Sequence, residues 1–205
     1  PPEGAPSWMT WPVHCEDAER VPWSDMAHHD RFVLHGAGYE SRYVGGLRAD
    51  LHGIYSDDYI TSEVLTGHPA MVPAPFGRDV VRKYWLTNDL MTQLALKQIE
   101  SVDFDGDNLH RQYVRWLDTG DVWVNRDATS WTVNGHHLPQ YGYYADLGTV
   151  TGAIEEKGGV IVEWSKSPEN WYVNARPVIL SGLPASVKLK SLTPTGGRNF
   201  EITLE

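Results

Sequence analysis

Asp118-Thr119-Gly120-Asp121-Val122-Trp123-Val124-Asn125 and, a few residues on, Trp131-Thr132-Val133-Asn134-Gly135 decide the fold class of this chain. In the first stretch Val122 and Val124 alternate with Trp123 after a cluster of turn residues. The run from His110 to Leu117 stands before that turn, so the two halves read as a β-hairpin. In the second, Asn134-Gly135 is the strongest two-residue hairpin signal in the sequence, because a type I′ turn needs positive φ at both central positions. Outward from these, strands are expected at 141–145, 150–155, 160–164, 171–174, 178–180, 186–192 and 200–204. Gly158-Gly159, Ser165 to Asn170, Pro184 and Gly196-Gly197 punctuate them. Many short strands at regular spacing predict an antiparallel β-sandwich over residues 105–205.

Toward the N-terminus the pattern changes. Ser56-Asp57-Asp58 supplies an N-cap and an acidic first turn for a helix to about Thr66, with Gly67 at C′. After a loop with Pro69, Pro73 and Pro75, Asp79 opens a long helix to about Val102. Val80, Val81, Tyr84, Trp85, Leu90, Met91, Leu94, Ala95 and Ile99 give it a broad apolar face. Residues 31–35 read as a buried strand ending at Gly36-Ala37-Gly38; residues 9–13 are a weaker strand, since Pro12 removes a ladder hydrogen bond. Strand, loop, helix is the order of a βα unit. At most two such units fit here, whereas a closed eight-fold barrel needs about 200 residues or more. Residues 1–104 are therefore expected to end a (β/α) barrel-like catalytic domain. The fold class expected is α+β: a partial barrel segment with two helices, followed by the sandwich.

A formal net charge of −10 speaks against nucleic-acid binding, which needs clustered Lys and Arg, and against adsorption to anionic membranes. No apolar run is long enough to span a bilayer as a helix. The single cysteine, Cys15, rules out an internal disulfide framework and reads as a small buried hydrophobe. Pro1-Pro2-Glu3-Gly4 lacks an initiator Met and a basic n-region, so the chain is expected to begin inside a longer parent sequence. Localisation is left open, secreted or periplasmic being compatible.

Chemistry-bearing side chains are concentrated early: residues 1–104 hold six of the nine histidines and fifteen of the 27 acidic residues. Three polar constellations stand out: His14-Cys15-Glu16-Asp17, His28-His29-Asp30, and Ser56-Asp57-Asp58-Tyr59 with Glu63 and His68. A metal site built from His14, Glu16, His29 and Asp30 has no recognised ligand spacing, and no metal or other cofactor is expected. A thiol nucleophile at Cys15 activated by His14 fails on geometry, since adjacent strand residues point to opposite faces. Asp57 and Asp58 are accounted for by helix capping, and Glu63 by solvation or a salt bridge. Glycosidic hydrolysis needs two carboxyl groups about 5–10 Å apart. Glu16, Asp17 and Asp30 lie near ends of candidate strands, where barrel enzymes carry their active groups. Glu16, Asp17, His29 and Asp30 are thus the candidate carbohydrate-contact residues, with no catalytic residue assigned.

The stretches Arg20-Val21-Pro22-Trp23, His28-His29-Asp30 and the glycine-rich segment after Leu34 resemble the late barrel region of endo-α-N-acetylgalactosaminidase-like glycoside hydrolases. His28 stands where that family has Tyr, and Gly38-Tyr39-Glu40-Ser41 where it has a Trp-Gly-Asp-Ser type segment. Asp58-Tyr59-Ile60 through Gly67-His68-Pro69-Ala70-Met71 is similar to the helix and loop that close the barrel. Val122-Trp123-Val124-Asn125, Trp131 and Leu138-Pro139-Gln140-Tyr141-Gly142 resemble the appended β-sandwich. The resemblance spans about residues 10–145. It implies the C-terminal part of a glycoside hydrolase, inactive alone, with catalytic carboxylates in missing upstream sequence or a partner chain. His29 and Asp30 would then hold a barrel-face position with a sugar-contact role. The alternative is a non-catalytic carbohydrate-binding or adhesion module, with Trp123, Trp131, Trp164 and Trp171 as exposed sugar platforms.

Overall fold

The computed structural model describes residues 23–33, 57–69, 77–176, 189–196 and 199–204. Three helices come first: α1 (Trp23–His28), α2 (Asp57–Thr66) and α3 (Arg78–Leu94). Strands follow: β1 (Ile99–Asp105), β2 (Asn108–Trp116), β3 (Gly120–Asn125), β4 (Trp131–Val133), β5 (His136–Leu138), β6 (Gly142–Asp146), β7 (Thr151–Lys157), β8 (Val160–Lys166), β9 (Trp171–Ala175), β10 (Leu189–Gly196) and β11 (Asn199–Leu204). Seven of them form one sheet in the order β1-β2-β3-β6-β7-β8-β9, every pair antiparallel. The short β4–β5 hairpin interrupts this meander, and β10–β11 pair with each other. The class is α+β.

Period-two alternation builds the core. Two adjoining cross-strand rows, Val114–Val122–Ala145–Gly152 and Gln112–Val124–Tyr143–Ile154, share one face of the sheet. Onto it pack Ile60, Val64 and Leu65 of α2 and Leu86, Leu90, Met91 and Leu94 of α3, with Ile99 and Trp116 closing one end. Trp116 is 1% exposed, the largest side chain so enclosed. The boundary drawn between residues 104 and 105 falls within β1, and the helices before it share this core with the strands after it.

Two elements differ from the sequence reading. The long helix ends at Leu94, not near Val102: Ala95 and Leu96 turn, Leu96 with φ +57°, and Ile99 then opens β1. Leu94, Ile99 and Val102 suit a helical face in sequence, but the register irregularity between Ile99 and Ser101 lets β1 present Ile99 and Val102 to the core as a strand. The broad apolar face of α3 also divides. Val80, Leu86, Leu90, Met91 and Leu94 are buried, whereas Val81, Tyr84 and Trp85 lie exposed. The strand expected at 31–35 is not one at its start: α1 precedes it, Arg31 donates its N–H to the His28 carbonyl in a turn, and Phe32 and Val33 are exposed. A backbone-bonded turn at the C-terminus of α1 leaves no extended segment there to pair. The rest of that run, the strand at 9–13 and the strand at 178–180 lie outside the described residues.

Elsewhere the turn chemistry behaves as read. Gly67 ends α2 with φ +68°, and Asn134 and Gly135 both take positive φ between β4 and β5. The phrase from Val122 to Gly142 proves to be one physical unit. Asn125 is fully buried, and its Nδ2 donates to the carbonyls of Thr129 (2.9 Å), Leu138 (3.0 Å) and Pro139 (3.1 Å). The Tyr141 N–H returns to the Asn125 carbonyl at 2.7 Å, and Gly142 allows the chain to pass Pro139 where a Cβ would come within 2.7 Å of its ring. Asn125→Ala should therefore remove all three of these bonds, the Pro139 carbonyl keeping the Gly142 N–H as a donor, and lower unfolding stability by about 2–4 kcal/mol, read from urea midpoints; a loss below about 0.5 kcal/mol would refute this clamp.

Candidate functional site

The four residues selected from sequence do not gather into one visible site. Glu16 and Asp17 lie outside the described residues. His29 and Asp30 follow α1 and diverge: His29 is 4% exposed, while Asp30 is exposed and pairs with its neighbour Arg31 at 3.3 Å. The ring of His29 is a packing element. Its Nδ1 lies 2.8 Å from the Lys97 carbonyl and its Nε2 3.3 Å from that of Gly67, and Trp116 meets it edge-on at 4.8 Å. Parallel to it, with ring centres 6.3 Å apart, sits His68, whose Nε2 contacts the Asp25 carboxylate. A carboxylate-oriented imidazole is the arrangement of a general base. Here His68 is fully buried, and among the described residues its Nδ1 has no partner, so the pair fastens α1 to the end of α2.

A second polar cluster joins the helices to the β8–β9 edge of the sheet. Glu163 of β8 points from the helix-facing row and is fully buried. Arg82 of α3 reaches it with Nε and Nη2, at 2.8 and 2.6 Å, and also donates to Asp57 at the start of α2, at 2.9 Å. Arg176, just past β9, bonds Asp57 at 2.6 and 2.8 Å and Glu163 at 3.0 Å. Asn174 and Tyr172 complete the shell around Glu163 Oε1. Burial by itself would raise the Glu163 carboxyl, but the bonds from Arg82 and Asn174 and the two guanidinium charges outweigh it and hold the group at about 2. The same surroundings push the Tyr172 hydroxyl up to about 12, burial first and the Glu163 charge second. Asp57, read from sequence as a helix cap, works mainly as a member of this clamp. Glu63, mid-helix in α2, pairs with buried Lys83 at 2.7 Å.

The opposite face of the sheet carries the exposed chemistry. One row runs Asp103–Tyr113–Trp123–Tyr144–Ala153–Trp164–Val173, each residue directly across from the next. Tyr113 and Trp123 lie 5.0 Å apart at 11°, and Trp123 and Tyr144 5.5 Å apart at 18°. Parallel rings at about the strand spacing of 4.8 Å stand upright, so their faces cover one another and their edges face outward. Small Ala153 leaves a gap between Tyr144 and Trp164, into which β5 places His136, 3.8 Å over Tyr144. Buried Glu155 ties this together: it accepts from Trp164 Nε1 at 2.6 Å and contacts His136 Nδ1 at 2.8 Å and Lys157 Nζ at 2.7 Å. At the other end Arg115 lies over Tyr113, whose hydroxyl bonds Asp121.

Glu155 resembles Glu163 in its electrostatics. Burial raises its carboxyl, and bonds from Lys157, Trp164 and His136 more than reverse this, leaving it below the usual range. A glycosidase acid requires the opposite shift. Among the described residues, each carboxylate that departs from its ordinary value is held ionised, and no group of three or more His, Cys, Asp or Glu could hold a metal. No described helix is long and apolar enough to cross a membrane.

Sequence reasoning passed over Glu155, Glu163, Arg82, His136 and Arg176. For Glu163 a signal existed: a charge among Val160, Ile161, Val162 and Trp164 sits in an apolar strand and must find a partner. That partner, Arg82, is 81 residues earlier, beyond any local pattern. No family model matches the chain, and no curated protein or solved structure matches it either.

Glu163→Gln should leave Arg82 and Arg176 short of a counter-charge. Because those guanidiniums keep 17% and 32% exposure, the expected loss at pH 7 is about 2–4 kcal/mol, below that of a fully buried pair. With its folded-state value depressed from 4.5 to about 2, Glu163 contributes stability that is complete above pH 4.5 and lost as pH falls toward 2. Urea unfolding of both proteins across that window should show the gap between them closing; a gap independent of pH would refute the assignment.

Proposed function

We propose that the chain is the C-terminal part of a glycoside hydrolase, in which the seven-stranded sheet and its helices act as a non-catalytic support. In this reading the end of a (β/α) barrel lies before the helices that share the core of the sheet, the open sheet face belongs to a β-sandwich, and upstream sequence or a partner chain supplies the acid/base and nucleophile. The observation that carries it is the Asn125 clamp. Asn125, Leu138, Pro139, Tyr141 and Gly142, residues of the β-region resemblance, are held together by one set of hydrogen bonds and one close backbone passage. The electrostatics agree, since Glu155 and Glu163 are kept ionised by structural partners and are unsuited to proton donation.

The binding-module alternative draws on one observation, the 64% exposure of Trp171. Trp123, Trp131 and Trp164 are each half-buried, and both faces of Trp123 are occupied by Tyr113 and Tyr144, leaving it no flat face for a sugar ring. Support is therefore the better reading of the tryptophan row.

The test compares this chain with the same chain carrying its upstream sequence, on a panel of p-nitrophenyl α- and β-glycosides that includes N-acetylgalactosaminides. The chain alone should release no p-nitrophenol above the uncatalysed rate, and the extended protein should turn over at least one substrate. Enzyme-like hydrolysis by the chain alone, or none by the extended protein on any substrate, would overturn the proposal.

A further inference from the structure

The two edges of the seven-stranded sheet are unlike. β1 carries exposed Glu100, Asp103 and Asp105, and its register shifts twice. Charges and bulges are the usual devices that keep an edge from pairing with another strand. β9, Trp171-Tyr172-Val173-Asn174-Ala175, has no charge, no proline and an even register with β8. Among the described residues nothing pairs with its outer side.

Hydrogen-bond phase shows what that outer side offers. The Arg176 N–H donates to the Ile161 carbonyl at 2.9 Å, and the Ser167 N–H to the Asn170 carbonyl at 2.8 Å. In an antiparallel ladder bonded pairs alternate, so Asn170, Tyr172, Asn174 and Arg176 turn their backbone groups inward to β8. The N–H and C=O groups of Trp171, Val173 and Ala175 consequently point away from the sheet. The side chains of these same three residues stand on the open face: Trp171 is 64% exposed, Val173 53%, and Ala175 is exposed as well. Backbone donors and acceptors in strand phase call for an extended polypeptide, and the apolar side chains beside them call for apolar cover. Tyr172 and Asn174, fixed to Glu163 from the other face, hold the strand straight.

We propose that β9 is a self-pairing edge, through which two copies of this chain join antiparallel about a two-fold axis at Val173. The argument for a second copy is self-complementarity. A two-fold at Val173 sets Val173 against its own copy and Trp171 against Ala175 of the second copy, the largest side chain opposite the smallest. All three pairs are in bonding phase, each exchanging two N–H···O bonds. An axis perpendicular to the sheet keeps the apolar side chains of both copies on one face, so each covers the other. This inference is independent of the glycosidase reading.

Sedimentation velocity and light scattering on the whole chain, over a wide concentration range, provide the test. A reversible monomer–dimer equilibrium is expected. Val173→Glu and Val173→Lys each place like charges opposite one another at the axis, and each should weaken the dimer about tenfold or more. Both substitutions are at an exposed position, and near-ultraviolet circular dichroism should match the unsubstituted chain. An equimolar mixture of the two variants should regain the dimer, which a merely misfolded variant would not do. A chain monomeric at every concentration, a dimer indifferent to both substitutions, or a mixture that stays monomeric would overturn the proposal. So would slow amide exchange at Trp171, Val173 and Ala175 in the dilute monomer, since that would mean the chain's own residues already cover this edge.

Discussion

Glu163 sits in a strand whose neighbours are apolar, facing the helices, and a lone carboxylate there would be intolerable. Its charge is retained because Arg82 arrives from α3 and Arg176 from the end of β9, with Asp57 bridging the two arginines. That requirement sets the relative placement of α2, α3, β8 and β9 at one point. Apolar packing alone is tolerant of sliding, whereas bidentate guanidinium–carboxylate geometry is directional and admits one register. The helix pair is therefore a fixed layer on this sheet. The core rows of β2, β3, β6 and β7 fill the remainder of the interface.

The two faces of the sheet divide the labour. The helix-covered face carries the hydrophobic rows and the Glu163 clamp. On the open face an upright stack of Tyr113, Trp123, Tyr144 and His136 runs across the strands, ended by Arg115 and tied to Glu155. Aromatic rings used in this way reinforce strand pairing with their faces and leave only their edges to solvent. This face therefore contributes rigidity, and where it turns apolar, at Trp171 and Val173, it does so at an edge strand that pairs on one side only among the described residues.

Much of the β region was legible from residues. Asn134-Gly135 is a complete local instruction, because the φ values it needs are ones few other pairs adopt at low cost. The alternation of Val122, Trp123 and Val124 assigns faces at a glance, and the punctuated runs up to Trp171 fall on strands. The helix–strand boundary after Leu94 was not legible. Leu94, Ile99 and Val102 suit either period until β2 is present to pair with β1, so tertiary pairing decided it. His29 was noticed as a polar residue of interest, but its buried position depends on Trp116, Lys97 and Gly67, none of them near it in sequence.

The sequence by itself determined the strands from β2 to β9 and the turns between them, since these follow from dihedral preferences and period-two alternation between near neighbours. Only the tertiary structure decided which charges would be buried together, which aromatic rings would stack upright, and which strands would stand at the edges of the sheet. Those outcomes rest on contacts between residues as far apart as Asp57 and Arg176, and local sequence carries no information about who waits at the other end of such a contact.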